Sequence, residues 1–428
     1  MSHTVTGPFA STGREVYIAE AVRTPTGKSH PERGWYRDIH PNAMLAACYT
    51  ELIARSGVEP ELVEDLVIGC TAPFGEQSRN IGRNAWLQAG YPPEVPATTL
   101  DRRCGSAQTA VEMGAALVAS GTHDIVIAGG VEHMGHVPID SPGKISELYG
   151  DPWTAELRDR YAFVHQGESA ELIADRWQLG REEMDAFAAR SHQNAAKAIA
   201  DGRFVAEMVP MTLDGQVRYA DQCVRAETTV ETLANLKPAF RKGGGRITAG
   251  SSSPISDGAA AVLLCSGDAA RRLGLRPRAR IVDQTTVGVD PIIMLTGPIP
   301  ATRKLLQRNH LNIDDIDLFE VNEAFSSVVL AWQRELRPDV ERVNVNGGAI
   351  ALGHAVGATG ARLIATLVAE LERREADLGL VTMLRRRSGD RNAHPAGTRV
   401  IDFREYLTAG AGVWWGQAAA EPRPWSMR

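Results

Sequence analysis

Short runs of aliphatic and β-branched residues alternate along this chain with longer stretches in which apolar side chains return every three or four positions. The first pattern buries a strand and the second buries one face of a helix. Strands are predicted for the segment EVYIAEAVRTP and for Leu66–Ile68, Asp124–Ala128, Arg280–Val287 and Gly379–Met383. Helices are predicted for Pro41–Ser56, Gly105–Ser120 and Ala301–Arg308. Such alternation gives an α/β architecture. From about 131 to 256 the rhythm changes to charged helix formers with few strand signals, which reads as a mostly helical excursion inserted between two strands. The chain then divides into a disordered extension (1–14), a first half (15–278) carrying that excursion, a second half (279–383) and a tail (384–428).

Composition narrows the function classes. A hydrophobic fraction of 43% over 428 residues supports a large core, and a net charge of −6 argues against a nucleic-acid binder. Five scattered cysteines lack metal-type spacing and read as reduced thiols, so no metal is expected and a cytoplasmic setting is. No apolar run reaches membrane-spanning length, and the first residues lack a secretory hydrophobic segment.

Four segments carry candidate chemistry. In DRRCGSAQTAVEMGAALVASG, small and apolar residues at helical spacing (Ala107, Ala110, Val111, Gly114, Ala115, Val118) place Cys104 at a helix start. Unpaired N–H groups and the helix dipole stabilise a thiolate there, although a buried structural cysteine fits the same position. In NVNGGAIALGHAVGATG, five glycines surround His354, which suits a general base approached closely by a ligand. A phosphate-cradling loop is the competing reading, but no Walker lysine is present. Asn322 and Glu323 sit between apolar neighbours in FEVNEAFSS, either orienting a water or a histidine, or joining a structural network. The Ser-rich GRITAGSSSPISDGAAA reads as a ligand-contacting loop or a turn.

Taken in order, DRRCGSAQ, GGVEHMGHVP, ITAGSSSPISDGAAA, GPIPA, VNEAF and NGGAIALGHAVGATG resemble the thiolase family, from about residue 15 to residue 383. The resemblance implies a five-layered αβαβα fold of two similar halves plus a loop domain over the coenzyme A site, assembled as a homodimer or homotetramer. It implies acyl transfer between coenzyme A thioesters in fatty-acid β-oxidation, with coenzyme A as substrate and no permanently bound cofactor. Cys104 would be the nucleophile, His354 its base, and Asn322 the holder of a water in an oxyanion hole. Ser253 would contact pantetheine, with His165 and Gln166 touching pantetheine or the acyl chain. Ala355 replaces the usual proline after the histidine, a change expected to be tolerated. A ketosynthase on the same fold would want a second histidine where Asn322 stands. A non-catalytic acyl-CoA-binding protein is the other alternative.

The pattern breaks after Met383. The family carries a second cysteine, a general acid/base, in a C-x-G-G-G segment there, whereas this chain has Leu384 followed by Arg385, Arg386 and Arg387, and no cysteine beyond Cys265. Codons permitted for Leu384 to Ser388 give Cys-Gly-Gly-Gly when read one base later, and the shifted frame continues to a family-like end near Val400. A one-base frameshift from Leu384 is therefore expected, with loss of the acid and no final core strand.

Overall fold

The structure, a computed structural model, describes residues 14–383 and the backbone of 396–402. The proposed extension (all but Arg14) and the reading of Leu384 lie outside the described residues.

Among the described residues a ten-stranded sheet forms the framework, with nine strands lying on one path, β1 (Val16–Arg23), β2 (Asp65–Gly69), β3 (Ala97–Leu100), β4 (Ile125–His133), β5 (Ser256–Ser266), β6 (Ala279–Val287), β7 (Leu318–Val321), β8 (Leu378–Met383) and β9 (Ala396–Asp402), and a short strand Gly27–Lys28 pairing with β5. The nine run in the order β7-β8-β9-β6-β1-β5-β4-β2-β3. The two halves repeat one topology. β1 pairs antiparallel with β5, β5 antiparallel with β4, and β4 parallel with β2. In the same sequence β6 pairs antiparallel with β9, β9 antiparallel with β8, and β8 parallel with β7. Only Tyr17–Arg280 and Ile18–Ala279 join β1 to β6, so the junction is narrow.

The helices that position the site are α1 (Pro41–Ser56), α2 (Ser106–Ala119), α3 (Gln166–Arg176), α4 (Arg181–Ala200), α5 (Pro298–Arg308), α6 (Ser326–Leu336) and α7 (Thr359–Arg374). Strand side chains alternate between faces, and that alternation divides the core. Tyr17, Ala19 and Val22 of β1 face the outer cluster with α1, whereas Val16, Ile18 and Ala21 face the inner cluster with α2 and α7. Across the second half-sheet, Val282, Phe319 and Leu380 pack outward with Leu305 of α5 and Trp332 of α6. The layers are thus helix, sheet, helix, sheet, helix. α7 is buried from Thr359 to Leu371, all round rather than on one stripe, as a helix between two sheets must be. Each of its buried leucines contributes about 1.5–3 kcal/mol of transfer free energy.

Between β4 and β5 the chain carries α3, α4, shorter helices and the small hairpin Met211–Leu213/Gln216–Arg218. At the other end, β9 differs from the expectation of no final strand. Its backbone pairs along its length with both β6 and β8. The two flanking strands offer unpaired backbone groups, and AGTRVID, with three β-branched residues, can extend between them.

Candidate active site

Cys104 lies in the 3-10 turn Arg103–Gly105 that opens directly into α2, and it is fully buried. Arg103 holds φ of +51°, a costly left-handed conformation for a bulky non-glycine residue. Side chains pin it. The Arg103 amide donates to Asp101 Oδ1 at 2.8 Å, Ser106 Oγ donates to the Arg103 carbonyl at 2.6 Å, and the Arg102 amide donates to Ser106 Oγ at 2.8 Å. Burial pushes Cys48 and Cys265 up to about 12 and Cys223 to about 11, and holds Cys70 well above the ordinary thiol value, so they remain thiols at neutral pH.

The glycine loop reaches this turn because glycine lets backbone meet backbone. A Cβ on Gly360 would lie 2.3 Å from the Gln108 amide nitrogen, and one on Gly357 would lie 2.6 Å from the Val131 carbonyl oxygen. α7 therefore starts against the first turn of α2. In this loop, the His354 amide donates to Ser256 Oγ at 3.1 Å and its Nδ1 lies 2.6 Å from Thr359 Oγ1. Thr359 Oγ1 has one hydrogen, which it gives to the Ala355 carbonyl at 2.7 Å. It must then accept from His354, which puts the ring proton on Nδ1 and leaves Nε2 with a lone pair, a tautomer assigned from the network. Asn322 Nδ2 sits 3.5 Å from that Nε2, and its Oδ1 is buried without a protein partner, which fits an ordered water or a substrate oxygen.

Asn322 and Glu323 are adjacent but separate in role. Glu323 accepts from Ser191 Oγ at 2.7 Å, Asn344 Nδ2 at 2.8 Å and the Ile350 amide at 3.2 Å, tying α4 to the glycine loop. Burial raises its pKa, while those hydrogen bonds oppose the rise. Behind the loop, Arg362 of α7 faces Glu320 of β7 at 3.7 Å, and both are buried. Burial pushes Glu320 up to about 8 against the attraction of Arg362, and lowers Arg362 against that of Glu320.

Ser253 is half-buried and donates its amide to the Ala324 carbonyl at 3.0 Å, so the Ser-rich loop is knitted to VNEAF. Ile255 pairs with His354 in an isolated bridge. His165 is exposed at the N-cap of α3, and Gln166 beside it is buried. A chain of rings connects them to the centre: His165 stacks on Phe240 at 5.5 Å, and Phe240 meets Phe325 edge-on at 5.7 Å. The structure thus gathers Asn322, His354 and Ser253, sets the Cys104 turn against α7, and places His165 and Gln166 at the outer end of the aromatic path. Sequence reasoning missed Ser256, Thr359 and Phe240. The Thr359 hydroxyl, five residues after His354 at a helix start, was the one readable signal. Among the described residues no His, Cys, Asp and Glu cluster is arranged to hold a metal, and no described helix is long and apolar enough to cross a membrane.

A cysteine at a helix start, in a turn packed against the helix that follows the His354 loop, on a duplicated α/β scaffold, fits an acyl-transfer site of the cysteine-nucleophile class. Residues 16–268 match the model of the thiolase N-terminal domain and residues 275–391 that of the thiolase C-terminal domain. The chain belongs to the thiolase family and is a thiolase-type acyltransferase. It is 44% identical to a steroid 3-ketoacyl-CoA thiolase, FadA6, of Mycobacterium tuberculosis, over 88% of this chain and 94% of that one. Against a 3-ketoacyl-CoA thiolase of Cronobacter sakazakii it is 42% identical, over 86% and 96%. The human mitochondrial 3-ketoacyl-CoA thiolase solved with CoA superposes with a TM-score of 0.82 at 31% identity, covering 93% of this chain and 99% of that one.

Proposed function

We propose that the chain exchanges acyl groups between coenzyme A thioesters through an acyl–Cys104 intermediate. It cleaves a 3-oxoacyl-CoA with coenzyme A, or runs the reverse Claisen condensation, in fatty-acid β-oxidation. The observation that carries this is the hydrogen-bond order around His354, which leaves Nε2 as a base beside Asn322. Cys104 gives its proton to Nε2 and the thiolate attacks the C3 carbonyl. The C2–C3 bond breaks, leaving the acyl group on sulfur and the acetyl-CoA enolate, which takes up a proton. Coenzyme A then gives its thiol proton back to the group that protonated the enolate and attacks the acyl–cysteine, and the released Cys104 thiolate takes its proton back from His354. A water on Asn322 Oδ1, with the protonated Nε2, faces the thioester oxygen. Ser253, His165 and Gln166 line the pantetheine path, and Phe240 and Phe325 give that path its apolar wall.

The enolate's proton comes from the second cysteine in the family, where this chain has Leu384. The C-terminal family match extends past Leu384 and ends at residue 391, short of the end of the tail. Losing the acid costs on the order of 10²–10⁴ in rate. Losing an oxyanion N–H costs on the order of 10²–10³. The test is thiolysis of acetoacetyl-CoA and a longer 3-oxoacyl-CoA by this chain, beside one with the frame restored from residue 384. Turnover by the restored chain alone supports the reading, and equal turnover shows that another residue is the acid. If neither reacts yet coenzyme A binds, the protein is an acyl-CoA-binding member of the fold. A coding sequence incompatible with the shifted codons sinks the frameshift.

Two further features fit the family. β3 is one edge of the sheet, a strand open to pairing with a second copy, which supports a homodimer or homotetramer; light scattering that reads a monomer overturns it. No disulfide joins any of the five cysteines, which supports a reducing, cytoplasmic setting; secretion of the native protein overturns that.

A further inference from the structure

The base at Cys104 hangs on one hydroxyl. Thr359 Oγ1 accepts from His354 Nδ1 only while its own hydrogen points at the Ala355 carbonyl. If that hydrogen turned toward Nδ1, the ring proton would move to Nε2 and His354 would no longer take a proton from Cys104. Something must hold the hydroxyl in place, and its second lone pair is available for that.

Beside it lies a polar cavity of about 10 Å³, lined by Thr24, Thr26, Gly353, Ala355, Thr359 and Arg362 among others. That volume is close to what one water occupies. Arg362 stands three residues after Thr359 in α7, on the same helix face. It is 4% exposed, and both terminal nitrogens are buried without a hydrogen-bond partner. A guanidinium only donates, so whatever fills the cavity accepts from it. The charged groups around it are Glu320 on β7, Arg23 on β1, and Glu207 and Asp221, which Arg23 binds. With Glu320 pushed up to about 8 by burial, two carboxylates face two guanidinium cations there near neutral pH, and a cavity of this size takes a small neutral acceptor rather than a further anion.

We propose that one water fills this cavity, accepting from Arg362 and donating to Thr359 Oγ1, and that Arg362 is thereby a positioning residue that fixes the tautomer of His354. The inference rests on the acyl-transfer reading of Cys104 and His354.

The test is the rate at which iodoacetamide alkylates Cys104, followed by peptide mass spectrometry across pH 6–10 in the intact chain. His354→Asn should slow it about tenfold or more at pH 7.5, the order of a positioned base's contribution. Arg362→Met, which leaves Glu320 free to be neutral, should slow it roughly five- to tenfold and move the midpoint toward that of an unassisted thiol. Thr359→Val should match Arg362→Met, the double variant should be no slower than Thr359→Val, and Thr359→Ser should restore the rate. Arg362→Met within twofold of the unmodified chain, while His354→Asn is slow, overturns this proposal and leaves the base intact. If His354→Asn is itself fast, the base reading fails. Should Arg362→Met not fold, a crystal structure of the unmodified chain soaked in bromide decides. A water bridging Arg362 and Thr359 supports the proposal, and a bromide peak there overturns it.

Discussion

At the scale of single residues, the chemistry depends on where one proton sits, and this is where the sequence is least explicit. Cys104 and His354 were readable because each stands in a backbone context that is costly without a purpose: a helix start and a glycine-rich loop. Ser253 was singled out from its loop, but Ser256 holds the His354 amide, since the serine that turns inward is decided by the strand register of β5. His192 illustrates a buried polar group with no part in catalysis. It is fully buried on α4, accepts the Arg225 amide at 3.2 Å, and burial together with the Arg225 charge lowers its pKa to about 4. The unfolded chain binds this proton below about 6.5, whereas the folded chain refuses it until about 4. Stability is therefore lost as pH falls through that window, by about 2 kcal/mol between pH 7 and pH 5. His192→Gln should remove this increment from the difference in urea unfolding between the two pH values. An unchanged difference contradicts it.

At the scale of elements, the site is a meeting of helix starts. α2 and α7 both begin at it, and Gly360 is what lets their first turns touch. The helical periodicity of both segments was legible, but their mutual approach was not, because it depends on a backbone contact so close that a Cβ on Gly360 would meet the Gln108 nitrogen at 2.3 Å, which no spacing encodes. Gly360→Ala should push the α7 start off α2, cost about 1–3 kcal/mol in denaturant unfolding, and slow Cys104 alkylation about tenfold or more, since the base moves with α7. Wild-type alkylation in a destabilised variant would show that the two helix starts are not coupled. α4 behaves differently: Ser191 anchors it to Glu323 and Gly348, which explains why charged helix formers remote in sequence end against the catalytic loop.

At the scale of the whole molecule, two copies of one topology face each other across a shared helical layer. The common strand–helix rhythm was visible in the sequence, but the correspondence of β1, β2, β4 and β5 with β6, β7, β8 and β9 emerges only from pairing order. The last member, β9, was missed because strand formation there rests on backbone groups offered by β6 and β8 rather than on its own pattern. Duplication also explains why the base and nucleophile come from different halves, each at the start of the inner helix of its own half. The measurement that bears most directly on this account is mapping of the acyl group after incubation with labelled acetyl-CoA, a step that needs Cys104 and His354 but not an acid at position 384. The label is predicted on Cys104, absent in Cys104→Ser, and formed about tenfold or more slowly in His354→Asn. Label on another residue, or equal labelling of Cys104 without His354, would contradict it.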